Sequence, residues 1–181
     1  MSKEPDMPAR LVPVCLALLA ALSLLPPPLR AQATPPPGRA CGAAEFHQFD
    51  FWIGEWDVTR PDGGRAGENC IEPILGGCVL RESWTGVRGL RGTSYNIYDA
   101  ARRRWHQTWV DDQGTLLVLE GGFAGGRMTL EGVSTDSAGR PARQRITWHQ
   151  TAPGHVRQLW ESSSDGGATW TVAFDGRYVK R

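Results

Sequence analysis

From residue 51 onward the chain is written in pairs. Between glycine-rich breaks, short segments carry apolar or aromatic side chains at alternate positions with polar ones between them, the two-residue period of strands with one face turned inward. Cys78, Leu80, Glu82 and Trp84 share one side of such a segment, against Val79, Arg81 and Ser83 on the other. Trp105, Gln107, Trp109 and Asp111 likewise oppose His106, Thr108 and Val110, while Ser94, Asn96 and Tyr98 oppose Tyr95 and Ile97. Val156, Gln158 and Trp160 oppose Arg157, Leu159 and Glu161, and Gln144, Ile146, Trp148 and Gln150 oppose Arg145, Thr147 and His149. The alternation predicts strands near 51–59, 67–73, 78–85, 92–99, 104–111, 115–121, 127–133, 142–151, 155–162 and 169–174. No longer helical period competes with them, and 43–48 reads as one short helix ahead of the first strand.

The breaks are turn signals: Asp62-Gly63-Gly64, Gly76-Gly77, Gln113-Gly114, Gly125-Gly126, Pro153-Gly154 and Asp165-Gly166-Gly167. Connections this short join antiparallel neighbours, so the class is all-β, a sandwich or a barrel. An up-and-down antiparallel barrel of about ten strands fits best, because closure also removes the exposed edges of so regular a meander.

The segment before the strands has a different character. Lys3 and Arg10 precede a mostly apolar stretch, 11–25; prolines 26–28 end it, and Ala31-Gln32-Ala33 has the small-x-small form of a signal-peptidase site. The stretch is shorter than the roughly 20 apolar residues of a spanning helix. We read 1–33 as a cleaved signal peptide, 34–44 as a proline-rich tether and 45–181 as the barrel domain, secreted or periplasmic.

Charge excludes partners rather than naming one. The 181-residue chain has 20 Lys+Arg and 19 Asp+Glu; the signal removes Lys3, Arg10, Arg30, Glu4 and Asp6, leaving 17 of each sign. A neutral mature chain without a basic run gives no grip on nucleic acid, nor on a membrane surface once the signal is cut. Nothing in the pattern specifies an oligomeric state. Cys41, Cys70 and Cys78 remain in an oxidising compartment, enough for one internal bridge. Cys70 and Cys78 flank an apparent bend between adjacent strands and are the expected pair. No cysteine or histidine spacing suits a metal site, and no cofactor is predicted.

The run Phe49-Asp50-Phe51-Trp52-Ile53-Gly54-Glu55-Trp56-Asp57-Val58 contains Gly-x-Trp at the head of the first strand. It resembles the short signature of the lipocalin and fatty-acid-binding (calycin) barrels. That resemblance implies a tryptophan closing one barrel end with a basic residue from the last strand packed on it, here Arg177, Lys180 or Arg181. The longer run resembles a family of uncharacterised secreted bacterial proteins opening on FDFWxGxWDV. So do Gly77-Cys78, Glu82-x-Trp84, Asn96-x-Tyr98-Asp99, Trp105-x-Gln107-x-Trp109 and Gln158-x-Trp160. This resemblance implies the fold and no catalysis, and Cys70 departs from its pattern. Residues 163–170 match the Asp-box of sialidase propellers, but a single box in a chain too short for six blades reads as a hairpin clamp.

If the tryptophan faces all turn inward, the interior holds Trp84, Trp105, Trp109, Trp148 and Trp160, with Glu82, Asn96, Tyr98, Gln107 and Gln158 among them. Aromatic walls with a few converging polar groups are the usual make-up of a small-molecule pocket. The expected ligand is a small, partly polar, ring-containing molecule held by Glu82, Trp84, Asn96, Tyr98, Trp105, Gln107, Trp109, Gln158 and Trp160. An alternative is an isomerase, cyclase or hydrolase on the same frame, with Glu82 as general acid/base and Tyr98 as its hydrogen-bond partner. A third is a structural module with a filled interior. Haem would need an inward axial histidine, and His106 and His149 fall on the opposite faces.

Overall fold

The computed structural model describes residues 41–135 and 139–181. The expected signal peptide, 1–33, lies outside the described residues, as does most of the expected tether. Ten strands follow one another: β1 (Gly54–Thr59), β2 (Arg65–Ile74), β3 (Val79–Gly86), β4 (Arg91–Asp99), β5 (Arg104–Asp111), β6 (Leu116–Ala124), β7 (Arg127–Thr135), β8 (Pro141–Ala152), β9 (His155–Ser163) and β10 (Thr171–Lys180). Each pairs antiparallel with the next, and β1 meets β10 through Trp56↔Lys180 to Thr59↔Arg177, closing the barrel. The alternation therefore reads the fold class correctly.

The strand ends differ from expectation in two informative places. Residues 50–52 wind into a 3-10 turn, following another at Ala44–His47, so β1 begins only at Gly54. The Phe49-Asp50-Phe51-Trp52 run is apolar because it folds back into the barrel: Phe49 and Trp52 have no exposed surface. At the other end, β10 runs six residues past the expected 174 because Phe174, Gly176 and Tyr178 continue the inward alternation beyond a bulge between Val172 and Phe174.

These rings form a plug. Phe49 lies 4.9 Å from Trp52 in near-parallel contact, and edge-on to Trp105 and Trp148 at 5.7 and 5.2 Å between centroids. Met128, Leu130, Leu119 and Val156 complete a solid lower half. Of the three basic residues expected over the Gly-x-Trp tryptophan, Lys180 takes the place: its Nζ stands 5.7 Å from the Trp56 ring and donates to the Ile53 carbonyl at 3.0 Å. Gly54 has a φ of 139°, which side-chain-bearing residues rarely adopt, and a Cβ there would displace the Lys180 chain end, 2.6 Å away at Cε.

The disulfide expectation is corrected. Cys41 bonds Cys78 with Cα atoms 5.2 Å apart, and Cys70 is free. Register explains why. The β2–β3 ladder ends at Ile74↔Val79, whereas Cys70 faces Ser83. Cys70 thus stands four residues up the strand from its end, roughly 13 Å away at about 3.3 Å per residue, too far to bridge. Cys41, assigned from sequence to the tether, is instead bonded into the barrel, where it pins the plug segment to the foot of β3.

Candidate functional site

Above the plug the barrel is not filled. A cavity of about 230 Å³ lies between the strands. Its deep wall is made of buried side chains: Glu82, Gln107, Leu117, Ile146, Gln158 and Tyr178. Its outer wall is made of half-buried ones, Trp84, Leu90, Trp109, Trp160 and Phe174, so it opens at the end away from the plug. At about 30 Å³ per water it has room for roughly seven or eight waters, or one small ring-bearing molecule.

Neighbouring glycines seat two of the rim indoles. A Cβ on Gly92 would lie 2.1 Å from Trp109 Cζ2, and one on Gly67 would lie 2.8 Å from Trp84 Cη2 and Cζ2. The rings lie flat across bare backbone on the adjacent strands, which keeps them against the wall and out of the cavity. Phe174 meets Trp84 edge-on at 5.9 Å. Trp160 is fixed by its Nε1, which donates to Gln144 Oε1 at 2.7 Å, and Gln144 is held in turn by Ser134 and Ser162.

The deep wall is a hydrogen-bonded chain. Gln107 Nε2 donates to Asn96 Oδ1 at 2.7 Å, Asn96 Nδ2 to Ser94 Oγ at 2.9 Å, and Ser94 Oγ to Glu82 Oε2 at 2.6 Å. Asn69 Nδ2 donates to Glu82 Oε1 at 2.7 Å and to the Tyr178 hydroxyl at 3.3 Å; Tyr178 in turn donates to Gln158 Oε1. Asn69 Oδ1 is buried and has no partner among the described residues. The network joins six strands and fixes the rotamers facing the cavity.

No cation approaches Glu82 in this network. Burial pushes its carboxyl above the ordinary value, and the hydrogen bonds from Ser94 and Asn69 only partly oppose that. Burial, and then the charge of Glu82, raises the Tyr178 hydroxyl well above its own, so it stays protonated. The pair can donate, accept and hold a proton beside the cavity.

Six of the expected site residues line this space: Glu82, Trp84, Gln107, Trp109, Gln158 and Trp160. Three do not. Asn96 is fully buried behind Gln107 and acts through it. Trp105 belongs to the plug, where its Nε1 donates to Gln48 at 3.1 Å. Tyr98 packs at that same end against Phe46, with centroids 5.3 Å apart. The tyrosine beside Glu82 is Tyr178, in the stretch of β10 beyond the expected boundary. Asn69, Ser94 and Gln144 also went unremarked, although Ser94 and Gln144 sat on faces already sorted inward.

The remaining motifs are structural. Asp111 accepts from the Gln113 and Thr115 amides at 3.0 and 2.9 Å, capping its turn, and from Trp109 Nε1 at 3.3 Å. In the Asp-box, Asp165 accepts from Ser163, from the Thr169 amide and from the Thr169 hydroxyl, and Trp170 Nε1 donates to Gly167 O at 3.1 Å. Trp170 lies under the Arg145 guanidinium, 4.0 Å from ring to Cζ, on the outside of the barrel. No protein-family model matches the chain, and no curated protein matches it in sequence.

Proposed function

We propose that this chain is an exported small-ligand-binding barrel that holds a partly polar, ring-containing molecule in its tryptophan-lined cavity. One observation carries the reading: a half-open cavity whose rim is aromatic and whose deep wall presents Glu82, Gln107, Gln158 and Tyr178. Each buried polar group would cost about 1–3 kcal/mol if left unsatisfied, and bonds with Asn69, Ser94, Asn96 and Tyr178 offset that cost while leaving the carboxyl and two amides on the cavity wall. Indole faces accept flat rings, while the amides fix orientation. Export follows from the predicted signal at 1–33 and is in keeping with the Cys41–Cys78 bond, which needs an oxidising compartment to persist.

The test is titration of the mature chain with phenethylamine, 2-phenylethanol and phenylacetate, a cationic, a neutral and an anionic one-ring compound, followed by tryptophan fluorescence. Saturable quenching by at least one, weakened about tenfold in Trp109→Ala or Trp160→Ala, supports the pocket. Silence from all three would leave the barrel as a structural module.

Glu82 favours a second reading, an isomerase, cyclase or hydrolase using it as general acid/base, because a carboxyl whose pKa is raised by burial beside a cavity has the property such chemistry needs. Tyr178, rather than Tyr98, would then be its partner. Glu82→Gln separates the two: a binder changes affinity, whereas an enzyme loses turnover and still binds.

A further inference from the structure

The charge content of the cavity is one-sided. Every element packed around Glu82 presents a neutral group to it: Asn69 from β2, Ser94 from β4, Gln107 from β5, Gln158 from β9 and Tyr178 from β10. Of these only Tyr178 titrates, and it stays protonated. Among the described residues the other inward carboxylate is Asp111 at the strand end, whose charge is committed to its turn and to Trp109. No Lys, Arg or His among the described residues lines the cavity. Arg88, in the β3–β4 connection, and Arg91, at the head of β4, are exposed.

The rim adds to the same sign. Trp84, Trp109, Trp160 and Phe174 surround the opening with four aromatic rings. Ring faces carry negative quadrupole density, so a desolvated cation gains there and an anion loses. An anion entering would also meet Glu82, or force its proton to stay, with no counter-charge to receive it.

Resting on the ligand-binding reading above, we propose that the cavity selects organic cations, namely ring-bearing ammonium compounds whose charged nitrogen reaches Glu82 while the ring lies among the rim indoles. Burial raises the Glu82 carboxyl, so the empty pocket keeps that proton to higher pH than an exposed carboxyl would. When R–NH₃⁺ enters, the Glu82 proton leaves to solvent and the carboxylate remains as the counter-ion, still accepting from Ser94 and Asn69. One positive charge goes in and one comes out. Binding therefore strengthens as pH rises, until the ligand's own ammonium begins to titrate near the range of about 10 usual for alkylamines.

The experiment uses the three one-ring probes already named, on the mature chain, from about pH 5 to pH 8, with calorimetry in two buffers of different ionisation enthalpy to count protons. Phenethylamine is expected to bind about tenfold more tightly than 2-phenylethanol at the upper pH, with phenylacetate weakest. The gap narrows as pH falls, and proton release accompanies phenethylamine but not 2-phenylethanol. In Glu82→Gln the preference for the cation disappears; should that variant not fold by near-ultraviolet circular dichroism, the pH series and proton count on the unaltered chain decide alone. Binding of 2-phenylethanol with no preference for the amine, or a preference for phenylacetate, overturns the cation assignment and leaves the pocket reading standing. If none of the three binds, the pocket reading fails and this one with it.

Discussion

Glu82 is the residue on which stability and function pull apart. A carboxyl whose pKa is raised by folding binds its proton more tightly in the native chain, so it favours folding below its unfolded value of 4.5 and loses that advantage as pH climbs through the folded one. Across that window the slope approaches about 1.4 kcal/mol per pH unit. The surface carboxylates act in the opposite sense and elsewhere: Asp57, Asp99 and Glu120, held low by arginines (Glu120 to about 2), withdraw their support only as pH falls below the ordinary carboxylate range. His149, held low by burial, acts in the opposite sense over the same range and equally in both chains, so urea denaturation from pH 5 to 8 should show Glu82→Gln gaining stability relative to the unaltered chain as pH rises. An unchanged slope in the variant would mean that the carboxyl is not buried as described. Gly92 gives a steric counterpart. A methyl added there would fall 2.1 Å from Trp109 Cζ2 and displace a ring that lines the cavity. Gly92→Ala is expected to fold and to bind the one-ring probes about tenfold more weakly, read by the same fluorescence titration.

At the scale of elements, the Cys41–Cys78 bond ties the plug segment across 37 residues of sequence, a closure that chain entropy values at about 2–4 kcal/mol. Replacing both cysteines by serine should lower stability by that amount in denaturant titration and expose the 44–52 segment to protease first. Alkylation of the folded mature chain without reductant should label Cys70 alone. It should do so slowly, because burial, together with Glu72 and Glu55, holds that thiol above its usual pKa. Strand existence was legible because alternation is local and every strand has one wet face. Strand pairing of cysteines was not, because it depends on register: Cys70 and Cys78 are close in sequence and far apart along the ladder. The 3-10 turn at Asp50–Trp52 hid for a related reason. An apolar run that folds under the barrel looks the same as one that lies within it.

For the molecule as a whole, the sequence could sort inward faces but not heights. Trp84, Trp109 and Trp160 share the inward sense with Trp105 and Trp148, yet the first three ring an opening and the others close the opposite end. Nothing in a two-residue period records which end of a strand a residue occupies relative to the plug, and so Tyr98 and Trp105 were grouped with a site they do not reach. Tyr178 escaped for want of a boundary: with β10 ended at 174, its place opposite Glu82 was invisible. The polar residues were the better guide, since Glu82, Gln107 and Gln158 have no apolar reason to face inward and all three meet at the void.

Both ends of the described chain lie beneath the plug. Cys41 is bonded to the foot of β3, and the Arg181 amide donates to Glu55 O at 3.0 Å beside the start of β1. A bead, sensor surface or fluorescent fusion attached after Arg181 would therefore sit on the blind side of the vessel, leaving the doorway clear for traffic.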